Sequence, residues 1–95
     1  MSMPFTQPPE TVTYRVRINS EEWTEYKTPV NSSKFVADNI KFGNEALVEF
    51  RNAASVQTVL NNFNKRIDGW LRQLGHTAGF VSEPTEAGII YRLTN

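Results

Sequence analysis

Residues Ser55 to Gly75 read SVQTVLNNFNKRIDGWLRQLG, and the reading of this stretch decides the fold. Its apolar residues are Val56, Val59, Leu60, Phe63, Ile67, Trp70, Leu71 and Leu74. They recur at the three- and four-residue spacing of one helical face. Ser55 is suited to the N-cap, where its hydroxyl can accept a first-turn backbone N–H. Gly75 is suited to the position just past the end, where a left-handed residue without Cβ closes a helix. The stretch therefore predicts a helix of roughly five turns. Its apolar stripe needs a sheet or another helix to cover it. Gly69 interrupts this helix at a cost of about 1 kcal/mol relative to alanine. Beside Trp70, it predicts close backbone packing, a local kink, or a notch that admits a partner side chain.

Working outward, Ala46 to Arg51 alternates as a strand, with Ala46, Val48 and Phe50 inward. Ala78 to Ser82 predicts a strand after the helix, Glu83 to Gly88 a turn, and Gly88 to Leu93 a final strand with Ile89, Tyr91 and Leu93 on one face. A right-handed crossover through the helix makes its flanking strands parallel, and the last two strands form a hairpin. Thr11 to Ile18 also alternates, with Val12, Tyr14, Val16 and Ile18 on one face. Asn19 to Glu22 reads as a turn. Trp23 to Val30 predicts a second strand paired with the first, placed at an edge by Pro29. A single helical turn around Glu21 to Tyr26 is the competing reading. Asn31-Ser32-Ser33 reads as a loop. Lys34 to Phe42 suits either a short helix capped by Ser33 and stopped at Gly43, or a strand. The strand is preferred for at least Asn39 to Phe42.

These elements predict an α+β fold: a mostly antiparallel sheet with one long amphipathic helix, 55–75, packed on one face as a two-layer sandwich. Residues 11–95 form a single domain. Residues 1–10, with Pro4, Pro8 and Pro9, predict a flexible proline-rich arm. Phe5 could pin that arm to the body or to a partner.

The 95 residues suit one domain, and their 39% hydrophobic content suits a folded globule. A chain this size buries only about 60–65% of its extended surface, which leaves little room for a deep enclosed pocket. Ten basic and ten acidic residues give zero net charge. Nucleic acid is therefore not favoured, because backbone binding rests on excess positive charge. The halves differ slightly, at −2 for residues 1–50 and +2 for residues 51–95. There is no cysteine, so thiolate chemistry and disulfides are excluded. The first ten residues lack a basic start and an apolar run, unlike a signal peptide. No apolar run approaches the roughly 20 residues of a membrane span. The expectation is a soluble cytoplasmic protein.

No phosphate-binding glycine loop or nucleophile-elbow pattern is present. His76 is the sole histidine and sits just past the long helix, where a protonated imidazole suits the dipole. No ligand spacing surrounds it, so capping or exposure is the plain reading, and proton transfer the functional one. Arg15 and Arg17 share the outer face of the first strand, and Arg92 lies on the outer face of the last. If those strands are neighbours, three guanidiniums stand together, suited to phosphate, carboxylate or single-stranded nucleic acid. The polar side of the long helix carries Asn61, Asn62, Asn64, Lys65, Asp68, Arg72 and Gln73. Asn61, Lys65 and Arg72 are candidates there for docking RNA or an acidic partner, against the plain reading of a solvated face.

The second half resembles the small SirA/TusA-like sulfur-carrier domains. The likeness rests on Ala46-Leu47-Val48-Glu49-Phe50 as a strand, the long helix, Leu74-Gly75-His76-Thr77, a strand, a short acidic turn, and Ile90-Tyr91-Arg92-Leu93. It implies a shared α+β architecture over residues 46–95. That family works through a Cys-Pro-x-Pro helix start, which this cysteine-free chain lacks, so the resemblance does not imply sulfur transfer.

The leading functional expectation is a non-catalytic protein–protein interaction or regulatory module, compatible with a homodimer and requiring no cofactor or metal. The alternatives are a weak RNA or single-stranded nucleic-acid binder using the arginine face, and a carrier or enzyme-associated domain in which His76 acts.

Overall fold

A computed structural model of the chain describes residues 12–53, 55–76 and 79–94. The proline-rich arm, 1–10, lies outside the described residues. The elements run β1 (Thr13–Ile18), β2 (Trp23–Tyr26), α1 (Pro29–Ile40), β3 (Ala46–Arg51), α2 (Val56–Gln73), β4 (Phe80–Pro84) and β5 (Ile89–Leu93). The fold is α+β. Five strands form one sheet in the order β2-β1-β3-β5-β4, and every neighbouring pair is antiparallel.

The helix predicted from Ser55 to Gly75 is α2. Ser55 is its N-cap, with the hydroxyl accepting from Thr58 N–H at 3.3 Å. At the other end Gly75 takes φ +78°. Its N–H bonds Arg72 O at 3.0 Å, and His76 N–H bonds Leu71 O at 2.8 Å. This is the paired closure expected of a left-handed glycine at a helix end. Phe63, Ile67 and Leu71 are buried, Val59, Leu60 and Trp70 partly so. Each fully buried apolar side chain contributes about 1.5–3 kcal/mol. Val56 and Leu74, at the ends of the stripe, remain exposed.

One expectation fails between Pro29 and Phe42. That region is neither an edge strand, a loop nor a second strand. Pro29–Ile40 is the helix α1, so the helical alternative for Lys34 to Phe42 holds as far as Ile40, and the sheet carries two helices rather than one. The cap is Thr28, not Ser33. Its hydroxyl accepts from Asn31 N–H at 3.3 Å, and Pro29 sits in the first turn, where its missing N–H costs nothing. Asn31, Ser32 and Ser33 are helical. Ser32 Oγ donates to Thr28 O at 2.8 Å, and Ser33 Oγ donates to Pro29 O and Val30 O. These bonds let two hydroxyls lie fully buried. Val36, Ala37 and Ile40 complete the buried face. Gly43, at φ +89°, follows the helix, and Phe42 points outward at 77% exposure rather than into a strand face.

β1 and β2 turn through Asn19 and Ser20, both at positive φ. β2 ends at Tyr26, well short of Val30. The competing helical turn around Glu21 to Tyr26 does not occur. β4 begins at Phe80 and runs through Pro84, so the final turn is confined to Thr85–Gly88. β3 and β4, on either side of α2, do point the same way, but β5 lies between them.

The inward strand positions line up across the sheet. Tyr14 pairs with Phe50, Val16 with Val48, and Ile18 with Ala46; Ala46 then pairs with Tyr91. With Val36, Ala37 and Ile40 of α1 and Phe63, Ile67 and Leu71 of α2 they form one buried cluster. Phe63 is its centre, with ring centroids of Phe50, Tyr91 and Tyr14 at 5.3, 5.7 and 5.8 Å. Tyr91 is fully buried, and its hydroxyl donates to Asn64 Oδ1 at 2.6 Å. Asn64 Nδ2 donates in turn to Ser82 Oγ at 3.3 Å.

Candidate functional site: the outer face of the sheet

Alternation sends the remaining side chains of the strands to the opposite face. Arg15 and Arg17 project there from β1, as expected, and Arg92 from β5. They do not stand together. β3 separates β1 from β5, so strands about 4.8 Å apart put those two about 10 Å from one another. Leu47, the cross-strand partner of both Arg17 and Ile90, fills the gap.

Each guanidinium is already engaged. Arg15 Nη1 donates to Glu49 Oε1 at 3.2 Å, and its guanidinium carbon lies 4.4 Å from the ring centre of Trp23. Arg51 Nε donates to the same Glu49 oxygen at 2.6 Å. Arg17 serves the β1–β2 turn: Nε donates to Glu21 O at 2.8 Å and Nη2 to Ser20 O at 3.0 Å. Arg92 Nη1 donates to Glu83 Oε2 at 3.0 Å. For Glu49, partial burial pushes the carboxyl up, but the hydrogen bonds and charges of Arg51 and Arg15 outweigh it and hold the group below its usual range. The arginines of this face are thus engaged by carboxylates or by turn carbonyls rather than forming a free cationic platform.

Between these ions lie half-exposed apolar residues that the sequence reading did not single out: Trp23, Leu47, Val81 and Ile90. Trp23 pairs with Arg17, Arg17 with Leu47, Leu47 with Ile90, and Ile90 with Glu83, so one row crosses the whole sheet. Val81 stands beside Arg92 in the adjoining row. A hollow of about 80 Å³, lined by Arg17, Asn19, Glu45, Leu47 and Ile90, opens along it. The signal was in the alternation: the pattern that turns Ala46 and Val48 inward turns Leu47 outward.

The helix candidates do not join this site. Asn61, Lys65 and Arg72 are exposed on α2, whose buried side faces the core. Asn61 Oδ1 accepts from Gln57 Nε2 at 3.0 Å, and Arg72 Nε pairs with Asp68 at 3.1 Å. Gly69 has no neighbouring atom within 4 Å of a built Cβ, so close backbone packing does not explain it. It opens a hollow of about 170 Å³ lined by Arg66, Trp70 and Gln73. His76 is half-buried, and its backbone N–H closes α2. Among the described residues, no three His, Asp or Glu side chains converge as metal ligands. Nor, among those residues, is any helix long and apolar enough to cross a membrane.

No protein-family model, curated protein or solved structure matches the chain.

Proposed function

We propose that the chain is a non-catalytic interaction module that docks a partner protein on the outer face of its sheet. One observation carries the reading: the arginines of that face are engaged within the chain, while Trp23, Leu47, Val81 and Ile90 stay half-exposed between them. Both helices turn a buried apolar face, Val36, Ala37 and Ile40 on α1 and Phe63, Ile67 and Leu71 on α2, into the single core, which supports a two-layer arrangement with this face open. An apolar row framed by paired ions suits a protein surface with an apolar centre and a polar rim. It suits a nucleic-acid backbone less well, since four arginines there share the face with Glu25, Glu49 and Glu83. The cysteine-free composition suits a reducing compartment, and the proposal places the module in the cytoplasm. The resemblance to sulfur-carrier domains adds an architectural parallel for β3 to β5 and no sulfur chemistry.

The test compares two double variants against a partner captured from the native host. Leu47→Asp with Ile90→Asp should weaken binding at least about tenfold, a 1.4 kcal/mol loss. Arg15→Gln with Arg17→Gln should change folding stability by less than about 1 kcal/mol and leave binding only weakly salt-dependent. A steep salt slope on a single-stranded oligonucleotide, reduced by the arginine variant, would reject the protein-docking reading. Sedimentation showing a dimer that dissociates in the Leu47→Asp, Ile90→Asp variant would replace the foreign partner by a second copy.

A further inference from the structure

Arg66, Gly69, Trp70 and Gln73 stand at i, i+3, i+4 and i+7 on α2. Four residues so spaced frame the kind of hole that receives one side chain of a facing helix. Gly69 leaves one corner of the frame bare, and a hollow of about 170 Å³ lies between the four. No atom lies within 4 Å of where a Gly69 Cβ would stand, so nothing among the described residues requires its small size. Yet a glycine inside a helix costs about 1 kcal/mol relative to alanine. Trp70 forms one wall of the hollow. It is half-buried, and its ring is held in place by donation of the indole N–H to Ser33 on α1. The wall is thus set before anything binds, which lowers the ordering cost of binding.

The charges around this ring are of one sign. Lys34 Nζ, from α1, lies 5.8 Å from the Trp70 ring centre. Arg66 precedes Trp70 by one helical turn, so the two side chains are neighbours on α2. Both bases are exposed, and among the described residues neither forms an ion pair. The two helices carry Lys34, Lys65, Arg66 and Arg72 against Asp38 and Asp68, and Asp68 is taken by Arg72. The arginines of the outer sheet face are engaged within the chain, whereas these two cations are left for a partner. An occupant must therefore bring an apolar side chain for the hollow and negative charge for its rim. Single-stranded nucleic acid fits less well. It stacks successive bases on several aromatic faces, and one aromatic lines this hollow.

We infer that this hollow is a second docking site, which takes an acidic amphipathic helix of a partner protein. One apolar side chain of that helix seats over Gly69 against Trp70, and carboxylates a turn to either side meet Lys34 and Arg66. The site lies on the helical layer and does not rest on the reading of the outer sheet face.

Two synthetic peptides of about 20 residues, long enough to hold a helix in water, test it. Both are built on alanine with one central leucine. One carries glutamate a turn to either side of the leucine, and the other carries lysine there. In titrations of the full chain followed by amide and indole N–H signals, the glutamate peptide should shift Lys34, Arg66, Gly69, Trp70 and Gln73. The lysine peptide should not. Gly69→Ala, and Gly69→Leu, which fills the hollow further, should weaken this binding at least about tenfold without loss of folding stability. Lys34→Glu with Arg66→Glu should transfer the preference to the lysine peptide. Absence of these shifts up to millimolar glutamate peptide overturns the proposal, and so does unchanged affinity in Gly69→Leu. A single-stranded oligonucleotide that moves the same signals at lower concentration overturns the choice of partner. Sedimentation showing a dimer that Gly69→Leu dissociates makes the occupant a second copy and equally overturns the assignment.

Discussion

Trp70 on α2 donates its indole N–H to the hydroxyl of Ser33 on α1, 3.1 Å away. Ser33 is fully buried, and its own hydroxyl points back to the carbonyls of Pro29 and Val30. One small side chain thus answers an acceptor within its helix and a donor from the other. This contact explains the buried serine at position 33 of an otherwise amphipathic helix.

Ser33→Ala should therefore cost about 1–3 kcal/mol, because it leaves the Trp70 N–H without its partner. Ser32 is equally buried but bonds only to Thr28 O on its own helix. Ser32→Ala should cost less, about 0.5–1.5 kcal/mol. Urea unfolding of the two variants measures the difference, and an equal or larger loss at Ser32 would place the pin between the helices elsewhere.

The α2 stripe should not behave uniformly. Phe63 is fully buried among three rings, and Phe63→Ala should cost about 3–5 kcal/mol. That is a large share of the roughly 5–15 kcal/mol of a small domain. Leu74, at the exposed end of the same stripe, should lose less than about 1 kcal/mol on change to alanine. Comparable melting shifts for both would mean that the stripe is covered along its full length.

Two glycines should respond in opposite directions. Gly69 is helical with open space around it, so Gly69→Ala should raise stability by about 0.5–1 kcal/mol. Gly88 has positive φ and backbone 2.4 Å from a would-be Cβ, so Gly88→Ala must displace β3 or β5 and lower stability. Thermal melts of the pair decide it. A neutral Gly88→Ala would mean that the β4–β5 turn relaxes freely.

Tyr91 sets an alkaline limit. Burial pushes its phenol well above the ordinary value near pH 10. The folded state holds this proton more tightly than the unfolded chain does. The associated stability is complete below about pH 10 and is lost as pH rises beyond it. Tyr91→Phe should flatten that alkaline decline while lowering neutral-pH stability, because Asn64 loses its 2.6 Å partner. Denaturant midpoints taken across the alkaline range read both effects. An unchanged alkaline slope in Tyr91→Phe would assign the limit to another group.

The legible parts of this fold carried their signals locally. Ser55, Gly75 and the spacing from Val59 to Leu71 describe α2 without reference to anything else. α1 was hidden because its buried face is partly made of Ser32 and Ser33, which hydropathy counts as polar. Its true start, Thr28-Pro29, reads equally well as the end of an edge strand. Strand order was not legible either, since alternation places Arg15, Arg17 and Arg92 outward but says nothing of β3 lying between them. Their engagement depends on that order: Glu49 reaches Arg15 only because β3 is beside β1. The apolar row was readable at Leu47 and Ile90 taken singly, and became a row only once their register was known.

The central position of β3 also bears on how the chain reaches its native state. The β1–β2 and β4–β5 pairs close over short turns and can form early, whereas Arg17 meets Leu47, and Ala46 meets Tyr91, only after a whole helix has been looped out. Seating β3 joins the two hairpins, and the loop entropy of both connections falls on that one event. It is the natural bottleneck of folding. Val48→Ala, at its middle, should act mainly by slowing refolding, while truncations in the β4–β5 hairpin should act mainly by hastening unfolding. Neither half of the chain can be expected to persist alone, because the strand that completes one sheet edge completes the other as well.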